Sequence, residues 1–376
     1  MDPVVQKFVR FGPSHVQIFE LIEIVVEVRN EEPRNLLNDT SVKQWQAACY
    51  VLADIAVGLL HTDDIASTRG RRESCLGGPS GAPVQNAADI IQPTALDQKT
   101  SKTMPSTMRE QAYRIYLEFL ETAENKRRWS IFNDVPWEKL DSGKAADQVG
   151  DRVEIFCTEE LYVPDYSSKG LDLTRSIFGM ASFQTCWASE ESRHGLAFRE
   201  YLTRSGLRSA AEFEALETAT FSREWQLPFR TIRQMTCYGA LQEGATFTAY
   251  NLQRNKARDA GDEVLEAIFF HIARDEAAHA GFYRSMLQLE LGNDREETIA
   301  DLAYVLSRFK MPGDGLIPNY RRRLLESGAG ISPRSFLIRV VWPLLTTLEI
   351  SREEIKSAMK KHAPVTVSNE RAEISV

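Results

Sequence analysis

The strongest constraint on this chain is a repeated arrangement of acids and histidines. Only six histidines occur in 376 residues, and two of them close the same pattern: Glu190-Glu191-Ser192-Arg193-His194 and Asp275-Glu276-Ala277-Ala278-His279. Each is an acid followed by Glu-x-x-His. Positions i and i+3 of an α-helix share a face, so each glutamate and histidine can reach a common point. Either motif alone is as easily a solvated helix face as a site. The segments before them add the constraint, since Glu159 stands 32 residues before Glu191 and Glu243 stands 33 before Glu276. The chain thus holds two nearly equal units, each a helix with one glutamate followed by a helix with Glu-x-x-His. Folded as two antiparallel hairpins, they bring four carboxylates and two imidazoles to one point, the ligand set of di-iron and di-manganese bundles.

The residue types suit that chemistry. Carboxylates are hard oxygen donors able to bridge two metals, and neutral imidazole suits iron, whereas cysteine would favour zinc or iron-sulfur clusters. The neighbours argue against a solvated face. Ile177, Phe178, Met180, Phe183, Trp187 and Phe198 surround one motif, and Ile268, Phe269, Phe270, Ile272 and Phe282 the other. A buried carboxylate without a partner is costly or takes up a proton, while several around two dications are compensated. The expected ligands of two irons are therefore Glu159, Glu191, His194, Glu243, Glu276 and His279. Glu190 and Asp275, one position before each motif glutamate, are expected to accept the other ring nitrogen of a ligand histidine, including one in the opposite hairpin.

The rest of the chain supplies the scaffold. Residues 16–60 hold two apolar stretches of helical character, one of them the uncharged-looking run Trp45 to Leu60, which Asp54 marks as a buried helix rather than a membrane span. Residues 67–107 are rich in Gly, Ser, Pro and Thr and read as a linker. From Met108 onward, long amphipathic segments replace any alternating pattern, which predicts an all-α bundle. Helices are expected near 108–126, 144–162, 172–204, 209–218, 227–258, 261–291, 294–308 and 317–327, with two short ones in 332–362. The organisation is then a helical extension (1–66), a flexible linker (67–107), a bundle domain (108–362) and a flexible tail (363–376). The five cysteines are scattered without a CxxC pair and read as reduced thiols of an intracellular protein. A net charge of −8 disfavours a broad nucleic-acid surface. The short basic runs Lys126-Arg127-Arg128 and Arg321-Arg322-Arg323 read as solvated helix faces. No secretory signal is expected at the N-terminus.

At the motif residues the sequence resembles the soluble acyl-acyl-carrier-protein desaturases, the plastid stearoyl type and its bacterial relatives. The resemblance rests on Thr158-Glu159-Glu160-Leu161 with Pro164, Glu190-Glu191-Ser192-Arg193-His194-Gly195, Leu241-Gln242-Glu243-Gly244-Ala245-Thr246-Phe247, Asp275-Glu276-x-x-His279 and Met311-Pro312, in order across 158–312. It implies a homodimeric ferritin-like bundle with a four-helix di-iron core, using O2 and electrons from ferredoxin to remove two hydrogens from an acyl chain on acyl carrier protein. It also implies a cytoplasmic enzyme, or a stromal one in a plastid. Thr246 then matches a threonine near the oxygen-binding face, and Trp129 a tryptophan on the electron route. The expected substrate path is an apolar channel beside the metals, lined from 172–204 and 227–258. Ala277, Ala278 and Ala280 depart from the basic residues of plant relatives, and residues 1–100 carry no match. Two other readings share the scaffold. A ribonucleotide-reductase-type radical subunit is disfavoured because Phe198 occupies the radical tyrosine's position, and iron storage is disfavoured by the long N-terminal extension.

Overall fold

The computed structural model describes residues 104–141 and 147–361. The expected extension at 1–66, nearly all of the linker, the run Trp45 to Leu60 and the tail from 363 lie outside the described residues. Among the described residues there is no strand, and the expected all-α class is the one observed.

Helix α1 (Ser106–Thr122) continues into a π-type turn at Ala123–Arg127. It is followed by α2 (Asp147–Glu160), α3 (Val163–Thr174), α4 (Phe178–Arg204), α5 (Ala210–Phe221), α6 (Ile232–Ala260), α7 (Glu263–Asn293) and α8 (Arg295–Leu306). The shorter α9 (Gly313–Leu316), α10 (Tyr320–Ser327), α11 (Pro333–Phe336), α12 (Trp342–Thr347) and α13 (Arg352–Lys361) complete the order. Helix α3 departs from expectation. No helix is expected between 162 and 172, yet Pro164 sits in the first turn of one, where its missing N–H has no partner to lose. The long helix expected from 172 accordingly starts only at Phe178.

Four helices form the centre. α6 and α7 pack along much of their length as a hairpin closed by Gly261 and Asp262. Gly261 takes the left-handed conformation (φ 73°) and ends α6, and the Asp262 carboxylate caps the Leu265 amide to begin α7. α2 packs on α4, and α4 is also flanked by α1 and α3. Gly179 permits the α1 contact, because a Cβ there would lie 2.6 Å from the backbone carbonyl of Ala112.

The core is two apolar layers with a polar layer between them. One holds Phe156, Phe198, Tyr201, Leu202, Ile268, Phe269 and Ile272, and the other Phe119, Met180, Phe183, Trp187, Phe282 and Met286. Along α4 the order is Phe183, Trp187, then Glu190 to His194, then Phe198 and Tyr201. Along α7 it runs oppositely: Ile268, Phe269 and Ile272, then Asp275 to His279, then Phe282 and Met286. The two Glu-x-x-His motifs therefore meet at one level, and all of Glu190, Glu191, His194, Asp275, Glu276 and His279 are buried.

Candidate metal centre

Six carboxylates and imidazoles converge in the polar layer as two overlapping groups. Glu160, Glu191, His194 and Glu276 can each offer an atom within 4.8 Å of the others, and so can Glu191, Glu243, Glu276 and His279. Glu191 and Glu276 belong to both groups. Two shared carboxylates flanked on each side by one unshared glutamate and one histidine are the donor set for two bridged ions.

The histidines are oriented crosswise. The Nε2 of His194 lies 3.1 Å from Asp275 on the other Glu-x-x-His helix, and the Nε2 of His279 lies 2.8 Å from Glu190. Fixing one ring nitrogen aims the other. His194 Nδ1 faces Glu191 at 3.3 Å and Glu276 at 3.4 Å, and His279 Nδ1 faces Glu191 at 3.0 Å and Glu243 at 3.6 Å. Neither Nδ1 has an aligned hydrogen-bond partner, nor do Glu191 Oε1 and Glu243 Oε2, although all four atoms are buried. Buried polar atoms without partners are rare in folded proteins. Three of them, His279 Nδ1, Glu191 Oε1 and Glu243 Oε2, gather in one donor group, and His194 Nδ1 faces the other Glu191 oxygen in the second, so each group fits a cation.

Electrostatics agrees with that fit. Burial, and then the proximity of Glu191, push the Glu160 carboxyl well up, and burial and Glu276 do the same to Glu243. Burial alone would push the two histidines down, but the surrounding carboxylates raise both well above their ordinary value. Protons thus serve as the counterions of a cluster too acidic to stand ionised by itself, and metal dications would displace them.

The neighbours of the cluster come from all sides. The Trp187 indole donates to Glu243 at 3.0 Å, the Tyr250 hydroxyl to Glu160 at 2.8 Å, and the Thr246 hydroxyl lies 3.0 Å from Glu276. Asp275 also accepts from the Trp129 indole at 2.8 Å and from Arg127 at 2.5 Å, and Arg127 reaches Glu190 at 3.0 Å. Trp129 stacks on His271 with centroids 4.9 Å apart.

Two placements differ from the sequence reading. Arg127 was read as part of a solvated basic face, yet it is 6% exposed. The π-type turn rotates it inward between Glu190 and Asp275 and leaves Lys126 and Arg128 outside. In addition, Glu160 occupies the position in the cluster that was assigned to Glu159. On α2, Glu160 follows Val153, Phe156 and Cys157 on the face turned to the core. Glu159 follows Ile155, which packs against Ile317 and Tyr320. Its carboxylate accepts the Tyr320 hydroxyl at 2.6 Å and bonds the Gly313 backbone, while burial raises its pKa to about 7. The signal was in the sequence, because the i, i+3, i+4, i+7 pattern 153, 156, 157, 160 is the apolar face of α2. Gly195 lets α4 approach there, a Cβ on it meeting the Glu160 Cβ at 3.1 Å.

Beside the cluster lies a cavity of about 70 Å³. As expected, α4 and α6 supply much of its wall, with Gln184, Trp187, Met235, Tyr238 and Gln242 among the residues. The missed helix α3 contributes Tyr166 and Gly170. The wall is largely apolar and aromatic, with polar groups set into it at Gln184, Gln242 and Thr246.

Cys157, Cys186 and Cys237 are free thiols. Among the described residues no helix is long and apolar enough to cross a membrane.

Residues 158–329 match a family model described as fatty acid desaturase. DesA1 of Mycobacterium tuberculosis, whose name assigns it to acyl-[acyl-carrier-protein] desaturation, is 28% identical over 178 residues, 45% of this chain and 52% of that protein. Stearoyl-[acyl-carrier-protein] 9-desaturase 6 of Arabidopsis thaliana is 27% identical over 164 residues, 41% of this chain and 40% of the other. The chain therefore spans about half, or less, of the length of these curated relatives. The crystal structure of the acyl-ACP desaturase DesA2 of M. tuberculosis superposes with a TM-score of 0.49 at 19% identity, covering 67% of this chain and 99% of that one. Over residues 158–329, which hold all six clustered carboxylates and imidazoles, this chain resembles the fatty acid desaturase family.

Proposed function

We propose that this protein is a di-iron, O2-dependent desaturase that introduces a double bond into an acyl chain carried on acyl carrier protein. The observation that carries the reading is the pair of overlapping donor groups sharing Glu191 and Glu276, within the stretch similar to the desaturases. In this reading Glu160 and His194 complete one iron site, Glu243 and His279 complete the other, and Glu159 stands aside on Tyr320. Irons held by these residues, reduced by an external donor such as ferredoxin, would supply the O2 activation that removal of hydrogen from an unactivated carbon requires.

The protein's own residues do the rest. Asp275 and Glu190 hold the histidine rings by Nε2 so that Nδ1 stays free to bind. Trp187 holds Glu243, leaving its second oxygen directed inward. The two apolar layers exclude water from above and below, which protects an oxidising site from side reactions. Thr246, hydrogen-bonded to Glu276 and in the cavity wall, is the residue we assign to oxygen handling. Trp129, joined through Asp275 to His194 and stacked outward on His271, lies on the electron route we assign. A homodimer, and the compartment of the carrier protein, cytoplasm or plastid stroma, belong to the same proposal.

Anaerobic loading with iron, then addition of acyl-carrier-protein substrates, reductase, ferredoxin and O2, tests it by mass spectrometry. A loss of two mass units from an acyl chain is expected. Protein that binds about two irons per chain but never alters a thioester would refute the desaturase reading and leave the metal centre standing. One observation favours a second reading, a radical-generating subunit: the Tyr250 phenol sits on Glu160, although Phe198 occupies the position expected for the radical. A tyrosyl radical signal after exposure to O2, absent in Tyr250→Phe, would favour it.

A further inference from the structure

Around the cavity beside the carboxylate cluster, several hydrogen-bonding groups have nothing in the protein to bond. The Tyr166 hydroxyl is buried and without a partner. The Gln184 amide, on a residue 8% exposed, forms no hydrogen bond among the described residues, and neither do the side chains of Gln242 and Tyr283 in the same wall. Two other hydroxyls of this wall are satisfied: Tyr238 donates to the Lys310 carbonyl and Tyr250 to Glu160.

The backbone makes room for the unpaired ones. A Cβ on Gly170 would lie 2.8 Å from the Gln184 amide carbon and 2.9 Å from its nitrogen. A Cβ on Gly239 would lie 2.7 Å from the Tyr283 ring at its hydroxyl-bearing carbon. Both glycines line the cavity. Any larger residue at either position would displace a polar group from the wall.

A plain alkyl chain seated here would strip water from these donors and return nothing, an arrangement that selects against the chain itself. A wall built to bond a polar group instead rejects the analogue that lacks it. We propose that, within the acyl reading on which this inference rests, the natural acyl group carries an oxygen substituent, a hydroxyl or keto group, that is bonded by Tyr166 and Gln184. The site thus selects an oxygenated acyl chain over an unsubstituted fatty acyl chain.

Binding, independent of turnover, tests this in iron-loaded protein kept without reductant. The probes are acyl-pantetheine thioesters of equal length, unsubstituted or bearing one hydroxyl or keto group at successive carbons. Quenching of Trp187 and Trp225, which both line the cavity, reports occupancy. At least one oxygenated probe is expected to bind about tenfold tighter than the plain one, the worth of one well-made neutral hydrogen bond. Tyr166→Phe or Gln184→Leu should each shrink that ratio several-fold while leaving plain-chain affinity equal or better. Two variants on different helices keep the test open if one of them fails to fold. A plain chain that binds as tightly as every oxygenated probe overturns the inference alone. A preference that persists in both variants overturns it as well. Failure of every thioester to bind overturns it together with the acyl reading.

Discussion

Replacing Arg127 by methionine removes the guanidinium that bridges Glu190 and Asp275, leaving Arg128 3.8 Å from Glu190. The Arg127 Nη1 is 2.5 Å from Asp275 and 3.0 Å from Glu190, and both carboxylates are 1% exposed. The guanidinium also covers the Phe119 ring at 4.9 Å. Breaking a buried ion pair from one side costs about 3–5 kcal/mol, because a charge is left without its partner. Part is returned, since Nε and Nη2 of Arg127 are buried without partners and vanish with the side chain, an offset of about 1–2 kcal/mol. The Nε2 contacts from His194 and His279 keep each carboxylate partly compensated, which holds the net near the middle of the range. A loss of about 2–4 kcal/mol corresponds to a fall in Tm of roughly 5–15 °C for a domain of this size. Calorimetry of metal-free protein reads it directly. Arg127→Lys should recover much of the loss, because a cation returns even though the guanidinium fork does not. A drop under about 2 °C for methionine, or equal drops for methionine and lysine, would refute the reasoning that charge rather than shape is the contribution.

Further predictions concern packing and ligand choice. Gly179→Ala forces a methyl to within 2.6 Å of the Ala112 carbonyl, so α1 and α4 must separate at a loss of about 1–3 kcal/mol. Gly292→Ala, in α7 with nothing within 4 Å, should be neutral or stabilising by up to about 1 kcal/mol, and equal melting temperatures for the two variants would contradict the close-approach account. Glu160→Gln should weaken iron binding at least tenfold, measured by titration of the metal-free protein, whereas Glu159→Gln should change it less than about threefold. The reverse order would restore Glu159 as the ligand.

Much of the scaffold was legible because it rests on local periodicity. The helices carrying Glu-x-x-His were readable from long apolar stripes, and the near-equal intervals between glutamates marked the two hairpins. Errors arose where local signals are ambiguous. The stretch between 162 and 172 carries no long apolar stripe, so α3, which Pro164 opens in its first turn, and its Tyr166 are absent from the expected helices. Glu159 and Glu160 are adjacent acids, and which one faces the cluster depends on a rotation of about 100° per residue that the phase of Val153, Phe156 and Cys157 decides. Arg127 looked like surface because its neighbours in sequence are charged, and a single π-type turn reversed that.

The sequence by itself determined that the chain is helical and that Glu191, His194, Glu243, Glu276 and His279 stand at spacings able to meet, because helical periodicity is a local property that sequence records. Only the tertiary structure decided that each histidine is held by an acid from the other motif helix, that Glu160 rather than Glu159 faces the cluster, and that unpaired polar groups line the cavity. Those facts depend on how four helices are rotated and set against one another over separations of tens of residues. No local pattern specifies that packing, which close-packed side chains and small glycine contacts fix jointly.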